Sequence, residues 1–379
     1  MLKFTGQQER LRKVVKEFAE KEIAPIADKL DAEDTCPADL LMQMGQLGFN
    51  GVFVPAQYGG AGLGYTERTI ILEEIARYSA GLAMALMTHH LGVATILHYG
   101  GEEQRKKYLP DLCSGRKLAG LAVTEPSGGS DFMGQQSTGR LIDGEWVLKG
   151  RKCFITNSHN ADVTVLTVRT GEDARGRAQL TAFLVDAGTK GFGPGHKERK
   201  FGLRGSYMGD LNLNDVQVGE DAVLGGVGEG TRLGLAVIGE ISRSGTAAIG
   251  LGILRACLEE SIKFARERII YGKPLARLTN IQFIIAHNRT DYEAGRLMTY
   301  HAVGMQDAGL PCVTEVAMAK FLVCEAAVNA AKRTIDLMGG YGVVNDCPVG
   351  RYLRDAVATI PASGTSHIMQ VVIASGTLV

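Results

Sequence analysis

The class of fold follows from three stretches near the middle of the chain: Val163-Thr164-Val165-Leu166-Thr167-Val168, Leu180-Thr181-Ala182-Phe183-Leu184-Val185 and Leu211-Asn212-Leu213-Asn214-Asp215-Val216. They are short, rich in β-branched residues and bounded by Gly, Asp or Asn, a combination typical of β-strands. Together they predict a sheet in the central part of the chain, beginning near Leu118.

Helical patterns flank this predicted sheet on both sides. Thr5 and Gln8 have the spacing of a capping box, and apolar residues then recur at helical intervals. Further helical patterns cover residues 39–47, 67–109, 233–268, 279–308 and 312–338. Helix, sheet and helix in succession predict an α+β chain with segregated domains. The expected divisions are a helical domain at 1–113, a β-domain at 114–228 and a helical bundle at 229–379.

The composition argues against several classes of protein. Lys plus Arg and Asp plus Glu both number 41, so the net charge is zero and does not favour binding to nucleic acid or anionic membranes. We expect no membrane span, because no apolar run of roughly 18 residues stands out. The seven cysteines form no CxxC pair, which favours free thiols in a reducing cytoplasm over a disulfide framework or a metal site.

Six motifs occur along the chain in a fixed order. They are Val54-Pro55-x-x-Tyr58-Gly59-Gly60, Thr124-Glu125-Pro126-x-Gly128-Gly129-Ser130-Asp131, Gly150-x-Lys152-x-Phe154-Ile155-Thr156-Asn157, Glu267-Arg268-x-x-Tyr271-Gly272-Lys273-Pro274, Met338-Gly339-Gly340-Tyr341-Gly342 and Arg351-x-x-Arg354-Asp355. In this order they resemble the acyl-CoA dehydrogenase family over nearly the whole chain. The resemblance implies that family's fold, with an N-terminal helical domain, a middle β-domain and a C-terminal four-helix bundle. It also implies FAD as cofactor and an acyl-CoA as substrate.

The resemblance assigns flavin contacts to two strands of the middle domain. Val123 and Thr124 would meet the polar edge of the isoalloxazine, Phe154 would cover a ring face, and Thr156 would bond near N5, where hydride arrives. Ser130 follows two glycines, whose open backbone would bring N–H groups to the pyrophosphate. Without the resemblance, the same residues read as ordinary strand formers and a turn.

In this family the other half of the FAD site comes from a neighbouring subunit. Arg268 would pair with the pyrophosphate as a forked donor, beside Tyr271 and Gln282. The remaining positions that the resemblance assigns to the cofactor are Asp336, Gly340, Thr365 and His367. Asp336 and His367 depart from the glutamine or glutamate that the family usually has there. Sharing FAD between protomers implies a homotetramer built as a dimer of dimers, with an electron-transferring flavoprotein as redox partner.

The resemblance places the CoA thioester beside two loops and a helix. Arg204 and Ser206 would meet the pantetheine and nucleotide, while Ala362 and Gly364 would border the thioester. Arg243 corresponds to the helix arginine near the thioester, although a buried structural ion pair is an equal alternative for this residue.

Ser363 stands where the family has the glutamate that removes the α-proton of the thioester. A serine hydroxyl cannot do this unless another base activates it. The second family position for that glutamate is Ser242, again a hydroxyl, and Glu240 lies about 200° around an α-helix from it. Pro361 and Ala362 also replace larger side chains. We therefore expect a cavity suited to a bulky or cyclic acyl group and no carboxylate at the α-carbon.

A histidine is one candidate for the missing base. Residues 84–92 resemble the segment that forms the wall of the acyl pocket, and His89 within it could act at a carbon further from the thioester. The alternative, which we favour, makes His89 and His90 polar contacts of a helix packed on the middle domain. The pair predicts no metal site, because adjacent helix positions point about 100° apart.

Several functions remain open from the sequence. The first is dehydrogenation of a bulky, cyclic or unsaturated acyl-CoA, as in cyclohexene-carboxyl-CoA dehydrogenases. Variants are reduction of an enoyl-CoA, as in crotonobetainyl-CoA reductase, or flavin-assisted elimination, as in a desulfinase. A non-catalytic subunit of a mixed tetramer is another reading, which the flavin-contact residues Thr124, Ser130, Thr156 and Arg268 argue against. Oxygen-using flavin monooxygenases of this fold also lack the glutamate, but they depart more from the Arg-Asp and Gly-Thr segments.

Overall fold

Six helices form the first part of the chain in the computed structural model, which describes residues 3–378. The first begins after Thr5, whose hydroxyl accepts a hydrogen bond from the Gln8 N–H at 3.2 Å, while the Gln8 side chain accepts one from the Thr5 N–H at 2.9 Å. The predicted capping box is therefore present. The helices are α1 (Gly6–Phe18), α2 (Ala27–Glu33), α3 (Ala38–Gln46), α4 (Tyr65–Ala76), α5 (Ala80–Tyr99) and α6 (Glu102–Cys113).

Helix α5 lies in the core of this helical domain. It has 20 residues and a mean hydropathy of 1.5 over its most apolar window, so by length and composition it is able to cross a membrane. The expectation that the chain has no such run was therefore wrong. In the folded chain 94% of that window is buried inside the protein, as in the core helix of a globular domain.

The middle of the chain forms one eight-stranded sheet with the order β6-β7-β3-β2-β4-β5-β8. Strands β1 and β2 both pair in parallel with β4, one after the other along its edge. The three quoted stretches lie in β4, β5 and β7, as the sequence predicts. The strands are β1 (Ala119–Ala122), β2 (Thr138–Ile142), β3 (Glu145–Thr156), β4 (Val163–Glu172), β5 (Ala178–Asp186), β6 (Phe192–Lys197), β7 (Met208–Val218) and β8 (Val223–Leu224).

The last part of the chain is helical, with a short hairpin of β9 (Ile269–Ile270) and β10 (Lys273–Pro274). The helices are α7 (Gly230–Ala236), α8 (Arg243–Glu267), α9 (Thr279–Asp307), α10 (Val313–Met338), α11 (Val349–Thr359) and α12 (Ser366–Thr377). A π-helical turn, Val237–Ser242, joins α7 to α8. The sequence pattern predicted one uninterrupted helix over 233–268, and the π-turn interrupts it after residue 236.

Helix α8 packs closely against its neighbours at two glycines. A Cβ at Gly252 would lie 2.6 Å from the Cβ of Ala76 on α4, and one at Gly250 would lie 2.7 Å from a methyl group of Val323 on α10. Side chains at these positions would force the helices apart. The close approach places the first turns of α8 between the N-terminal helices and the C-terminal ones, where the candidate site is found.

Candidate active site

Ser363 lies in a tight turn between α11 and α12. Its φ is +59° and that of Gly364 is +102°, so both residues have left-handed backbone. Lys320 of α10 holds this turn in place through two hydrogen bonds. Its buried Nζ donates to the carbonyl of Ile360 at 2.6 Å and to the carbonyl of Gly364 at 2.9 Å. After the turn, the Thr365 hydroxyl caps α12 by accepting from the Ile368 N–H at 3.3 Å.

The hydroxyl of Ser363 belongs to a cluster of three, which we call the hydroxyl cluster: Ser242, Thr246 and Ser363. Ser363 Oγ lies 2.6 Å from Ser242 Oγ and 2.7 Å from Thr246 Oγ1. Ser242 and Thr246 are one helical turn apart on the same face, so both point at the turn that carries Ser363. The two serines that the sequence singled out are therefore in direct contact, and Thr246 is an unpredicted third member.

The protons of this cluster can all be assigned within it. Thr246 donates to the carbonyl of Ser242 at 3.1 Å, so Ser363 donates to Thr246 and Ser242 donates to Ser363. Each hydroxyl has a single hydrogen, and this arrangement uses all three. The hydroxyl cluster contains no ionisable group, and it therefore offers lone pairs but no base able to take up a proton near neutral pH.

Two cations, Arg243 and Lys320, lie beside the residues of this cluster. Arg243 follows Ser242 on α8, is 8% exposed, and its Nε has no hydrogen-bond partner among the described residues. Burial lowers the pKa of Arg243. Burial also lowers the pKa of Lys320, and Arg243 acts in the same direction. Within residues 3–378 Arg243 forms no salt bridge, so the contacts do not support the ion-pair alternative for it.

Glu240, in the π-turn, is only half-buried. Burial raises its pKa. Its charge acts on Tyr65, Tyr99 and Cys312, and it raises the pKa of each of these groups.

His89 lies away from this chemistry, at the contact between α5 and the sheet. Its Nδ1 accepts a hydrogen bond from the Ala119 N–H at 3.1 Å, and its ring is completely buried. Burial lowers the pKa of His89 to about 4. His90 is also buried, and its Nε2 donates to the carbonyl of Phe49 at 2.9 Å. These contacts support the structural alternative for both histidines, and they give His89 no role as a base.

The two strands expected to hold the flavin are joined by a buried ion pair. Lys152 Nζ lies 2.6 Å from Glu125 Oε1 and 2.8 Å from Gln135 Oε1, with both charged side chains buried. The Glu125 carboxylate also accepts from the Gln136 N–H at 2.5 Å and from the Ser137 N–H at 3.1 Å. Burial opposes ionisation of Glu125, but Lys152 and these donors outweigh it and lower its pKa.

A backbone hydrogen bond also joins the two segments that carry the expected flavin contacts. The Thr124 carbonyl accepts from the Cys153 N–H at 2.9 Å, which ties the two segments together. An irregularity between Lys152 and Ile155 turns Phe154 outward, with φ +55° and 58% of its surface exposed. Val123 is buried and Thr156 is half-buried. Ser130 is exposed after the Gly128-Gly129 turn.

The residues assigned to a neighbouring subunit's FAD are exposed on a single chain. Tyr271 is 86% exposed, and the Arg268 guanidinium lies 5.3 Å from the ring centre of Tyr341. Gln282 donates to the carbonyl of Ala276 at 3.0 Å. The other exposed positions of this group are Asp336, Gly340 and His367.

The loop expected to meet CoA is tied to the protein by its own polar groups. The Ser206 hydroxyl donates to the carbonyl of Leu203 at 2.9 Å, and Arg204 Nη2 donates to the carbonyl of Ala32 at 2.8 Å. The Leu203 N–H donates to the carboxyl of Asp355 at 2.7 Å. Burial raises the pKa of Asp355 to about 7. These bonds position the loop, and they engage the Ser206 hydroxyl inside the protein.

Comparison with known sequences accounts for this architecture. The N-terminal, middle and C-terminal domains of acyl-CoA dehydrogenase match residues 5–116, 120–216 and 229–378. The chain belongs to the acyl-CoA dehydrogenase family. It is 40% identical to an acyl-CoA dehydrogenase of Bacillus subtilis over 97% of each chain. It is also 36% identical to an acryloyl-CoA reductase (NADH) of Anaerotignum propionicum, over 98% of this chain and 94% of the relative.

A solved structure agrees with these matches. Butyryl-CoA dehydrogenase from Megasphaera elsdenii superposes with a TM-score of 0.97 at 31% identity, covering all of both chains. The predicted fold is therefore confirmed: a helical domain, a middle β-domain and a C-terminal helical domain. The chain is an FAD-dependent oxidoreductase of the acyl-CoA dehydrogenase type.

The residues of this acyl-CoA dehydrogenase chain fit FAD on two counts. Phe154 is a large aromatic side chain left exposed by a bulge, next to Thr124 and Thr156, and it provides an apolar surface for a flat ring. Arg268 is a cation that forms no salt bridge within residues 3–378, and it fits an anionic pyrophosphate.

Three features of the site were missed from the sequence. Thr246 follows Ser242 by four residues, a spacing that could have been noticed. Lys320 is a charged residue within a largely apolar stretch, which signals a specific partner. The pairing of Lys152 with Glu125 joins two of the quoted motifs. Their partners, two carbonyls and a distant glutamate, are set by tertiary packing that no local pattern reveals.

Proposed function

We propose that this chain transfers hydride between FAD and a CoA thioester whose acyl group is bulky, cyclic or already unsaturated, without a carboxylate of its own at the α-carbon. The observation that carries the proposal is the hydroxyl cluster. Ser363, at the family's glutamate position, bonds only to Ser242 and Thr246, both neutral. A general base must lie within hydrogen-bond reach of the proton that it removes, and this cluster supplies none.

The side chains beside Ser363 favour a wide acyl group. Pro361 and Ala362 occupy the turn where larger residues are usual in the family, and Ala362 is half-buried. A methyl group in place of a large ring leaves room beside the thioester. When bound, FAD supplies the acceptor or donor of hydride. Lys320 holds the turn in place, and the Arg243 charge favours negative charge developing on the substrate.

Reduction of an unsaturated thioester is a second candidate. The acryloyl-CoA reductase, at 36% identity, is a relative named for that direction. The same contacts support it, because the Arg243 charge beside the hydroxyl cluster favours an enolate-like species in either direction. Elimination of a leaving group other than a proton is a further variant of the same site.

We propose a homotetramer in which protomers share FAD, with an electron-transferring flavoprotein as redox partner. Tyr271 and Arg268 support sharing, since they are exposed on an isolated chain while the family places them against a neighbour's cofactor. The non-catalytic alternative predicts colourless protein. A yellow homotetramer, with one FAD per chain by absorbance and sedimentation, is the expected result.

Anaerobic flavin bleaching tests the function. Purified holoenzyme is mixed with saturated straight-chain, cyclic and enoyl thioesters, and photoreduced enzyme is mixed with the same enoyl thioesters. We expect bleaching by cyclic or unsaturated thioesters, or reoxidation by enoyl ones, and little response to butyryl-CoA. Fast bleaching by butyryl-CoA would reveal a base elsewhere and refute the proposal.

A gain-of-function variant complements this panel. Ser363→Glu places a carboxylate in the turn, and we expect it to acquire bleaching by butyryl-CoA. Ser363→Gln is the matched control, with a similar shape and no charge, and should stay inactive. A Ser363→Glu variant that binds FAD and stays inert would argue against a vacant base position.

A further inference from the structure

Arg68 of α4 is a completely buried arginine in the N-terminal domain. Its Nη1 donates to the carbonyl of Ile241 at 3.0 Å and to the Ser244 hydroxyl at 3.3 Å. Its Nε lies 3.4 Å from Nδ1 of His90, which is an acceptor because Nε2 of that ring donates to a carbonyl. All of these partners are neutral.

No carboxylate within residues 3–378 forms a salt bridge with Arg68, and its Nη2 has no hydrogen-bond partner there. Burial lowers the pKa of Arg68 to about 10, so the side chain is still protonated near neutral pH. Burying a charge is costly unless a counter-charge and hydrogen bonds compensate for it. A guanidinium whose outermost nitrogen has no partner is therefore prepared for an anion that the protein itself does not supply.

The unpaired Nη2 lies between α8 and the side chain of Met87 on α5. A Cβ at Gly245 would lie 2.5 Å from Arg68 Nη2 and equally 2.5 Å from Cγ of Met87, so both groups crowd the same point on α8. Met87 belongs to the α5 segment 84–92, which resembles the family's acyl-pocket wall. Gly245 immediately precedes Thr246 of the hydroxyl cluster. Arg68 Nη2 and Met87 thus both pack against α8 at the residue before Thr246.

A purely structural role accounts for only part of this arrangement. The carbonyl of Ile241 belongs to the π-turn, where the helical bonding pattern is broken, and Arg68 satisfies it. That task needs one N–H donor and no charge. The structural role therefore does not explain the permanent charge of Arg68 or its unpaired Nη2.

We propose that Arg68 binds the carboxylate end of the substrate's acyl group, so that the enzyme acts on CoA thioesters with a terminal carboxylate. This inference rests on the proposed function, since it names the substrate class for the same pocket. A carboxylate would accept from Nη2 and supply the missing counter-charge. Met87, an unbranched and flexible side chain, would move aside as the chain enters.

Matched pairs of thioesters test the inference. Succinyl-, glutaryl- and adipoyl-CoA are compared with butyryl-, valeryl- and hexanoyl-CoA for binding to holoenzyme, followed by the change in the flavin spectrum. In wild type we expect at least one acid to bind roughly tenfold or more tighter than its neutral partner, the value of one hydrogen bond to a charged group. Arg68→Met should abolish this ratio and Arg68→Lys should retain part of it. Arg10→Met, an exposed arginine on α1, should leave it unchanged.

The outcomes separate the two claims. If neutral and acidic thioesters bind equally to wild type, or if Arg68→Met keeps the preference, the inference is overturned while the proposed function stands. If neither these thioesters nor the cyclic and enoyl ones perturb the flavin, the proposed function fails, and the inference with it. The comparison of acidic with neutral thioesters uses only wild-type enzyme, so it still tests the inference if Arg68→Met folds poorly.

Discussion

Replacing Lys152 by methionine tests whether the buried pair with Glu125 holds the flavin-facing strands together. Methionine preserves most of the length and removes the charge. The ammonium group makes three contacts, with Glu125 at 2.6 Å, Gln135 at 2.8 Å and the carbonyl of Val123 at 3.3 Å. Removing one partner of a buried pair costs about 3–5 kcal/mol. Glu125 keeps two backbone donors in the variant, so we expect the lower end, about 3 kcal/mol.

Urea unfolding at fixed protein concentration measures this effect. Trp146 is the only tryptophan of the chain and lies in β3, buried with its ring centre 5.4 Å from that of Phe183, so its fluorescence reports on the middle domain. The double variant Glu125→Gln with Lys152→Met should recover about 1–2 kcal/mol, because it no longer buries a lone carboxylate. FAD binding should weaken in the single variant in parallel.

Lys149 provides the matched control on the same strand. Its contact with Asp215 is 3.9 Å long and both side chains are about 70% exposed, so Lys149→Met should change stability by less than about 0.5 kcal/mol. The reasoning is refuted if Lys152→Met is as stable as this control. It is also refuted if the double variant is less stable than Lys152→Met alone.

Three further perturbations follow from the contacts. Lys320→Met leaves two partly buried carbonyls without their donor, so it should lower stability by about 1–3 kcal/mol and weaken thioester binding; an unchanged melting temperature would contradict this. Asp355 has a pKa near 7 in place of the usual 3.8, so the native state holds its proton more tightly and stability should fall as pH rises from about 4 to 7. Asp355→Asn should remove that slope in melting temperatures taken across this range, and parallel curves would count against it. Arg268→Met should lower FAD affinity roughly tenfold or more, and full FAD content after gel filtration would disprove the role.

The sequence predicted the central sheet, its flanking helices and the two serines of the candidate site. Strand composition at Val163–Val168 and helical spacing on either side predicted the sheet and its flanking helices. The pair of serines at 242 and 363 was recognised because both align with positions of a family carboxylate. Their direct contact, and that of Ser363 with Thr246, depend on how α8 meets the turn after α11, which local patterns do not specify.

Other features escaped for physical reasons. α5 was not recognised as a long apolar helix, because His89 and His90 interrupt its run of apolar residues although both are buried. The π-turn before α8 changes backbone bonding without changing which residues are apolar. Arg68 lies in a helix whose residues are buried on nearly all sides, and an isolated arginine there gives no hint of its direction.

The π-turn at Val237–Ser242 has a consequence for how this chain can change over evolution. A residue gained within a helix rotates everything before it relative to everything after it, so α7 and α8 present independently chosen faces. Helix α7 can stay packed against β5 of the sheet while α8 keeps Ser242 and Thr246 directed at Ser363. Loss of a single residue from this turn would preserve the bundle and shift the angular phase of α7, altering the fit between two domains without touching the chemistry of either.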